Sequence, residues 1–199
     1  MTKQTLLITG FDPFGGETIN PAWEAVKLLP EEIGPFRLHK MQIPTVFEKA
    51  AQAVLAEAER VQPAVILSIG QAGGRAAITP ERIGVNIRDA RIPDNDGNQP
   101  KGQFAAPDGP AAYFATVPIQ AMAQAICDAG INGTVSNSAG AFVCNDVLYS
   151  LLHAFHGTAT KVGFIHVPFL PQQAKEGVAS MELELIVKGL EAAIGALKG

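Results

Sequence analysis

Short apolar runs alternate along this chain with segments whose apolar residues recur every three or four positions. Short runs of this kind are typical of β-strands, and the longer periodic segments are typical of amphipathic helices. The runs that predict strands lie at 5–10, 38–43, 64–69, 82–87, 133–137 and 161–167. The segments that predict helices lie at 21–29, 46–61, 117–129, 145–155 and 181–197. The last helix is expected to take Ser180 as its N-cap.

This alternation predicts an α/β protein, a three-layer α/β/α sandwich around a mostly parallel, twisted central sheet. The weaker run at 82–87 is expected to leave that sheet. Residues 91–110 are rich in Pro, Gly, Asn and Asp, which predicts a long loop, and a loop of that length in a compact domain suggests a functional flap. Since the chain shows no internal repeat and no linker, residues 1–199 are predicted to form one domain.

Composition narrows the class of protein. Hydrophobic residues make up 47% of the chain and charged residues 17%, which is enough apolar material for a substantial core. The formal net charge of −4 gives no electrostatic support for a nucleic-acid partner. No apolar stretch approaches the roughly 18–20 residues of a membrane helix, and the first residues show no signal-peptide pattern. With two cysteines and no disulfide framework, a cytoplasmic protein is expected.

The sequence also predicts neither a cofactor nor a metal. The turn at 70–75 is rich in glycine but lacks the Lys-Ser/Thr pair of a P-loop. Residues 94–98 resemble the start of a calcium loop, yet Ala105 stands where that loop needs its last glutamate. No group of Cys and His residues has the spacing of a zinc site.

Candidate chemistry follows the strands, because ligands bind outside the carboxyl ends of the strands in such sheets. Cys144 follows a loop and begins a predicted helix. Free backbone N–H groups there are expected to lower the pKa of the thiol and to hold an oxyanion. His166 is a polar residue in an apolar strand and needs a partner. A Cys–His pair is a standard way to activate a thiol.

Each of these residues also has a simpler interpretation. Cys144 could be a small buried hydrophobe, and His166 a hydrogen-bonded core histidine. Glu81 could be a surface carboxylate paired with Arg75 or Arg82, although a carboxylate is also the group that orients a catalytic imidazole. The other residues of these types are interpreted as packing, structural or surface residues: Cys127, His39, His153 and His156.

Five segments, in order along the chain, resemble the pyroglutamyl-peptidase I family, also called pyrrolidone-carboxylate peptidases. They are GFDPFGG at 10–16, GQAGGR at 70–75 with ITPER at 78–82, ARIPDN at 90–95, SNSAGAFVCN at 136–145 and FIHVP at 164–168. The resemblance runs essentially from end to end, and several of these motifs are long. It departs from the family pattern at Ser138 and Asp146, where relatives often have Thr and His, and in a short segment at 154–161.

The resemblance implies the same sandwich fold, a cytoplasmic enzyme that is often a homotetramer in bacteria, and N-terminally pyroglutamyl peptides as substrates. It places a Cys-His-Glu catalytic triad on Cys144, His166 and Glu81. Arg91 matches a position linked to the oxyanion site, where the backbone N–H of Cys144 is the other expected donor. The implied lactam pocket is formed by Phe11, Phe14, Asn20, Thr45, Gln71, Ile92, Phe142 and Val143.

The expected reaction is hydrolysis through a thioester on Cys144, with His166 as general acid and base. Two other functions remain as alternatives. A purine-nucleoside-phosphorylase-like enzyme would use the glycine-rich loops for phosphate and base, and Cys144 would be dispensable. A non-catalytic protein that binds small ligands or assembles would show no unusual thiol reactivity.

Overall fold

The computed structural model describes residues 3–197, which form eight strands and five helices. The strands are β1 (Gln4–Phe11), β2 (Glu32–Ile33), β3 (Phe36–Ile43), β4 (Val65–Gln71), β5 (Thr79–Pro80), β6 (Ile83–Val85), β7 (Ala112–Phe114) and β8 (Lys161–Val167). The helices are α1 (Pro21–Leu28), α2 (Lys49–Val61), α3 (Ile119–Asp128), α4 (Val143–Ala154) and α5 (Leu183–Gly195). None of these helices combines the length and the apolar character that crossing a bilayer requires.

Six strands form the central sheet in the order β2-β3-β1-β4-β8-β5. The four inner strands run parallel, while β2 and β5 close the two edges in the antiparallel sense. The excursion expected at 82–87 is confirmed, because β6 pairs with β7 in a separate two-stranded sheet. The carboxyl ends of the inner strands therefore meet at one edge of the sheet, where a ligand site is expected.

The sheet separates two apolar clusters, which confirms the three-layer α/β/α sandwich. Leu6 and Ile8 of β1 face the cluster that holds α1, α3 and α5, whereas Leu7 faces the cluster that holds α2 and α4. Alternation along each strand assigns its residues to one face or the other. At Gly10 the backbone of α1 comes so close that a β-carbon would lie 2.7 Å from Cα of Trp23, so only glycine fits there.

The first turn of α4 is fastened to the rest of the fold by two fully buried polar side chains. The Asn145 amide oxygen accepts from the Val85 N–H at 2.9 Å, and its amide nitrogen donates to the carbonyls of Val85 and Ile87. The Asp146 carboxylate accepts from Arg88 Nε at 2.7 Å and from the Glu48 N–H at 2.9 Å. Both residues are 0% exposed, so the start of this helix is held rigidly.

Helix α2 begins later than predicted, at Lys49 rather than at position 46, because the chain makes a tight turn first. Glu48 has φ 63° and ψ −51°, and the Lys49 N–H donates to the Phe47 carbonyl at 2.7 Å. This is a γ-turn with positive φ, a rare and strained conformation for a residue with a side chain. The Asp146 carboxylate and Arg88, which bind the backbone and the side chain of Glu48, hold this turn in place.

Two other sequence predictions are wrong in detail. Residues 133–137 form isolated bridges from Gly133 and Ser136 instead of a strand, because β5 beside them is two residues long and offers no continuous ladder. The final helix begins at Leu183 after Glu182, so Ser180 is not its N-cap. Ser180 instead pairs with Phe169 in an isolated bridge.

The segment 91–110 contains no helix or strand, as predicted, but it is folded around one carboxylate. Asp94 is buried, and its oxygens accept from the backbone N–H groups of Phe47, Asp96 and Asn98. The pattern that resembles a calcium loop is therefore a turn closed by hydrogen bonds from the protein itself.

Asp146→Asn tests the anchoring of α4. Removing the buried charge leaves Arg88 with the half-exposed Glu48 alone, and we expect the free energy of unfolding to fall by about 3 kcal/mol. Urea denaturation measures it. The matched control is Asp128→Asn on the exposed side of α3, where the carboxylate accepts only from the exposed Gln124 amide. Equal stability of the two variants would contradict the anchoring role.

Candidate active site

Cys144 and His166 lie on the same face of the sheet. His166 pairs with Gly70 in the parallel β4–β8 register. Its side chain therefore projects from the same face of the sheet as a β-carbon on Gly70 would. Such a β-carbon would stand 3.0 Å from Cys144 Sγ and 2.7 Å from Cζ of Phe164. Since adjacent strands are roughly 4.8 Å apart, the imidazole of His166 is within reach of the sulfur. Glycine at 70 leaves the space that the sulfur occupies.

Glu81 is held beside His166 by the antiparallel edge of the sheet. Thr79 of β5 pairs with His166, and two residues later the Glu81 N–H donates to the Phe164 carbonyl at 2.9 Å. The Glu81 carboxylate is 0% exposed, and its Oε1 lies 2.7 Å from Nδ1 of His166. With Nδ1 engaged in this way, Nε2 is the ring nitrogen left to face a substrate or the thiol.

The same Oε1 atom also accepts from Nη1 of Arg75 at 2.6 Å. The sequence left open whether Glu81 pairs with an arginine or with a histidine, and in the structure it does both. The other oxygen, Oε2, is buried without a hydrogen-bond partner among the described residues. All of the binding to this carboxylate is therefore concentrated on the oxygen that faces the imidazole.

The expectation of a lowered thiol pKa at the start of α4 is wrong. Burial raises the pKa of Cys144 to about 12, and the negative charge of Glu81 acts in the same direction. The charge of Arg75 and a hydrogen bond from the Cys144 backbone amide lower it, but they do not outweigh burial. Although the residue is only half-buried, its sulfur lies against Gly70 and the Phe164 ring. At neutral pH the resting sulfur therefore carries its proton.

Burial also sets the charge state of the imidazole. It lowers the pKa of His166, Arg75 lowers it further, and the hydrogen bond and charge of Glu81 oppose the change without cancelling it. For Glu81, burial acts to raise the pKa, but the hydrogen bonds from His166 and Arg75 outweigh it and the net pKa is lowered. The resting site thus holds a neutral thiol, a neutral imidazole and an ionised carboxylate.

Backbone donors for an oxyanion are present at the start of α4. Phe142 is the N-cap residue and provides no side-chain cap, and the first backbone bond of the helix runs from the Asp146 N–H to the Phe142 carbonyl. The N–H of Cys144 lies in the first turn, where no carbonyl within the helix can accept from it. Arg91 is exposed, and its part in an oxyanion site stays a prediction.

Three aromatic rings form a group at the start of α4. The rings of Phe14 and Phe142 are 6.0 Å apart, and Phe47 packs edge-on against Phe142 at 5.3 Å. Phe14 and Phe142 are both partly exposed, whereas Phe47 is buried. Ile92 is 38% exposed and lies across from the Gly15 turn. This arrangement offers apolar walls for a flat, uncharged group.

Other predicted pocket residues have structural roles. Phe11 and Val143 are buried in the core, where the Phe11 ring packs 6.2 Å from that of Phe164. Asn20 caps α1 and also donates to the Asp12 carbonyl at 2.9 Å, and Thr45 donates to the same carbonyl at 3.1 Å. These contacts position the loop that carries Phe14, and direct contact of Asn20 or Thr45 with a substrate stays a prediction.

Gln71 lies at the end of β4 and is more exposed than Asn20 and Thr45, the other polar residues of the predicted pocket. Its side-chain oxygen accepts from Gln173 Nε2 at 3.1 Å, and the residue is half-buried. The glycine-rich turn that follows it is packed on one side by an aromatic ring. A β-carbon on Gly73 would collide with the ring of Phe169, so that ring fills the space.

The remaining cysteine and histidines lie outside this site. Cys127 was expected to pack inside its helix, but it is exposed and its Sγ donates to the Gly133 carbonyl at 3.1 Å. His39 pairs with Glu57, and His153 shares a hydrogen bond of 2.9 Å with the Tyr113 hydroxyl. Between residues 3 and 197, no group of three or more His, Cys, Asp or Glu residues could hold a metal ion.

Comparison with known proteins places this chain in a family. The family model described as pyroglutamyl peptidase matches residues 4–198. The chain belongs to the pyroglutamyl peptidase family. It is 52% identical over 196 residues to a pyrrolidone-carboxylate peptidase of Staphylococcus saprophyticus, covering 96% of this chain and 92% of the relative. A protein of the same name from Treponema denticola is 51% identical over 200 residues, with the same coverage.

Solved structures agree with this assignment. Pyroglutamyl peptidase I of Bacillus amyloliquefaciens superposes with a TM-score of 0.94 at 44% identity, covering 98% of this chain and 97% of that chain. The pyrrolidone carboxyl peptidase of Thermococcus litoralis superposes with a TM-score of 0.93 at 38% identity, covering 98% and 93%. The peptidase family and the α/β fold expected from the resemblance are both confirmed.

Sequence reasoning missed several residues that shape this peptidase site. Asp12 is the acceptor for Asn20, Thr45 and Asn95 side chains and for the Thr45 N–H, and an aspartate in a Pro/Gly loop after a strand was a signal for it. Phe47 carried no such signal, because it lies in a stretch with helical spacing. Arg75 was considered only as a surface partner of Glu81.

Glu81→Gln tests the electrostatics of the imidazole. The pKa of His166 should lie below its ordinary value of 6.5, and loss of the Glu81 charge should lower it further, since that charge favours the protonated ring. NMR titration of labelled histidine in both proteins measures it. Glu59→Gln, at an exposed position of α2, is the control. A higher His166 pKa in Glu81→Gln would overturn this account of the site.

Proposed function

We propose that this chain hydrolyses the amide bond after an N-terminal pyroglutamyl residue, with Cys144 as nucleophile, His166 as general acid and base, and Glu81 as the group that orients His166. The proposal rests above all on one observation. The thiol at the start of α4 lies over Gly70, the register partner of His166, and Nδ1 of His166 is 2.7 Å from a buried carboxylate, in a chain of the pyroglutamyl peptidase family.

The charge state of the resting site determines the first step. Because the thiol is protonated, Nε2 of His166 takes its proton as the sulfur attacks the carbonyl carbon of the scissile amide. The resulting tetrahedral intermediate carries its negative charge on the former carbonyl oxygen. As it collapses, the C–N bond breaks, and His166 gives the proton to the departing amine. The pyroglutamyl group is left on Cys144 as a thioester.

The second half of the reaction repeats these roles with water. Neutral His166 removes a proton from a water molecule, which attacks the thioester carbon. The C–S bond then breaks, and the sulfur regains the proton from His166. Free pyroglutamate leaves and the resting site is restored. Throughout, the ionised Glu81 stabilises the imidazolium form, and the Cys144 N–H with Arg91 is the proposed site for the oxyanion.

Selectivity is proposed to arise in the aromatic pocket. Pyroglutamate presents a flat, uncharged lactam with one N–H donor and one carbonyl acceptor. Phe14, Phe142 and Phe47 offer apolar surface to the ring, Ile92 closes the open side, and Gln71 offers an amide to the lactam edge. A prolyl ring brings a charged amine that these walls cannot hydrate, and loss of one lactam hydrogen bond would cost about 1–3 kcal/mol.

We also propose a reducing, cytoplasmic setting and assembly into a homo-oligomer, the tetramer of the family resemblance. Both cysteines are free thiols, which fits a compartment that keeps them reduced. Large hydrophobic side chains are exposed at Leu28, Phe104, Phe114 and Leu185, and such residues are candidates for subunit contacts. Sedimentation of the purified protein measures the subunit number.

Cys144→Ser should abolish hydrolysis of a pyroglutamyl arylamide. A hydroxyl with its higher pKa is a far weaker nucleophile next to the same imidazole, and we expect kcat to fall at least about a thousandfold. Initial rates with the pyroglutamyl, prolyl and glutamyl arylamides measure both activity and selectivity. Cys127→Ser at the exposed thiol is the matched control and should retain full activity. Equal activity of the two variants would end the proposed thiol mechanism.

Phe142→Ala tests the aromatic pocket. Truncation removes the ring that contacts both Phe14 and Phe47, and we expect KM for a pyroglutamyl arylamide to rise about tenfold or more. Steady-state kinetics measures KM and kcat separately. Phe104→Ala, which truncates a phenylalanine that is 65% exposed, should leave KM unchanged. An unchanged KM in Phe142→Ala would place the lactam elsewhere.

A further inference from the structure

Arg75 connects three parts of the site through one guanidinium group. Its Nη1 donates to Glu81 Oε1 and to Thr79 Oγ1, each at 2.6 Å. Its Nη2 donates to the Ser138 carbonyl at 3.0 Å. The contact with Glu81 is an ion pair whose carboxylate is 0% exposed, whereas the arginine side chain is 31% exposed. The planar fork of arginine suits such a set of acceptors.

The contact with Ser138 reaches the segment that delivers the nucleophile. Ser138 begins the stretch that passes through Gly140, with φ 78°, and enters α4 at Val143. Arg75 therefore ties the carboxylate that orients the imidazole to the segment that leads to the sulfur. The opposite end of that segment is already fastened by Asn145, so its two ends are both held.

The charge of Arg75 acts on the same groups. Among the described residues, those that influence the pKa of His166 are Glu81 and Arg75, and the same two side chains influence that of Cys144. Without a cation nearby, the negative charge of the buried Glu81 carboxylate would raise the pKa of both the Cys144 thiol and the His166 imidazole. Arg75 opposes this, because it lowers the pKa of the thiol and of the imidazole alike.

We propose that Arg75 is a positioning residue of this peptidase, which holds Glu81 and the Ser138 segment in register and sets the pH range in which Cys144 and His166 work. The inference rests on the proposed function for its kinetic readout. In this role Arg75 supports the three side chains proposed to carry the reaction and does not itself contact the substrate.

The surroundings of Arg75 allow the test. Its exposed side lines an open groove of about 600 Å³ at the edge of the sheet, together with Ala76, Ala77 and Val135. A shorter side chain there leaves room for water rather than an empty core cavity. Arg82 is a matched control on the next segment, because its Nε donates to the Asn137 side chain at 2.7 Å.

The experiment compares Arg75→Gln, Arg75→Lys and Arg82→Gln with the wild-type chain. The pH dependence of kcat/KM for a pyroglutamyl arylamide is measured, along with the rate of iodoacetamide labelling at Cys144 at one fixed, mildly alkaline pH. Arg75→Gln should lower kcat/KM about tenfold or more, move the acid limb upward by about half a pH unit or more, and slow the labelling of Cys144 about threefold or more. Loss of the positive charge of Arg75 favours the protonated forms of His166 and Cys144, so the pKa of each group should rise.

Arg75→Lys should keep the wild-type acid limb, because lysine keeps the positive charge. Its kcat should fall, because an ammonium group cannot reproduce the forked set of hydrogen bonds that the guanidinium makes. Arg82→Gln should change neither. The inference is overturned if Arg75→Gln retains the wild-type acid limb, or if Arg82→Gln shifts it equally. Should Arg75→Gln not fold, as judged by circular dichroism, Arg75→Lys decides the matter, since wild-type kcat in that variant also overturns the inference.

Failure of the proposed function gives a different result. The wild-type chain would then not cleave the arylamide at all, while the labelling rate at Cys144 would still report on Arg75. An active wild-type chain with an Arg75→Gln variant indistinguishable from it would refute the inference alone.

Discussion

One fully buried carboxylate is the constraint on which the rest of the site depends. Glu81 lies at the antiparallel edge of the sheet, where burial alone would neutralise it, and the hydrogen bond from His166 and the ion pair with Arg75 keep it ionised. Its charge in turn fixes the ring of His166 and opposes ionisation of the nearby thiol. The reaction proposed for this site therefore does not begin from a stored thiolate. It begins from a neutral pair in which proton transfer to the imidazole accompanies attack, and the ionised carboxylate stabilises the charge that this transfer creates.

A second constraint is the rigidity of the first turn of α4. Asn145 fastens this turn to β6, and Asp146 fastens it to Arg88 and to the strained turn at Glu48. That strained turn directly follows Phe47, whose ring packs against Phe142. The nucleophile and one wall of the proposed lactam pocket thus belong to a single hydrogen-bonded unit. Strain at Glu48 persists because the surrounding contacts over-determine it, as is common near functional sites.

The pattern of the sequence predicted most of the fold but not its edges. The inner strands were visible because both faces of a parallel sheet are covered, which leaves short, continuous apolar runs such as 64–69. The segment at 133–137 is not such a run, since Val135 is its one large apolar residue, and its neighbour β5 is too short to pair with it regularly. Likewise, Ser180 is a good N-cap residue by type, but it pairs with Phe169 instead. In these cases tertiary neighbours decided what local propensity left open.

The sequence by itself determined the residue types that can do the chemistry and their placement after strands, because strand order along the chain fixes which side chains arrive at the carboxyl edge. It therefore pointed to Cys144 and His166, and the family resemblance added Glu81 to them. Only the tertiary structure decided the charge on the sulfur, since the pKa depends on burial and on charges from distant parts of the chain. It also decided that Asn20 serves its own helix and loop, and that Arg75 reaches a buried carboxylate. Those outcomes depend on distances between segments, which no local pattern encodes.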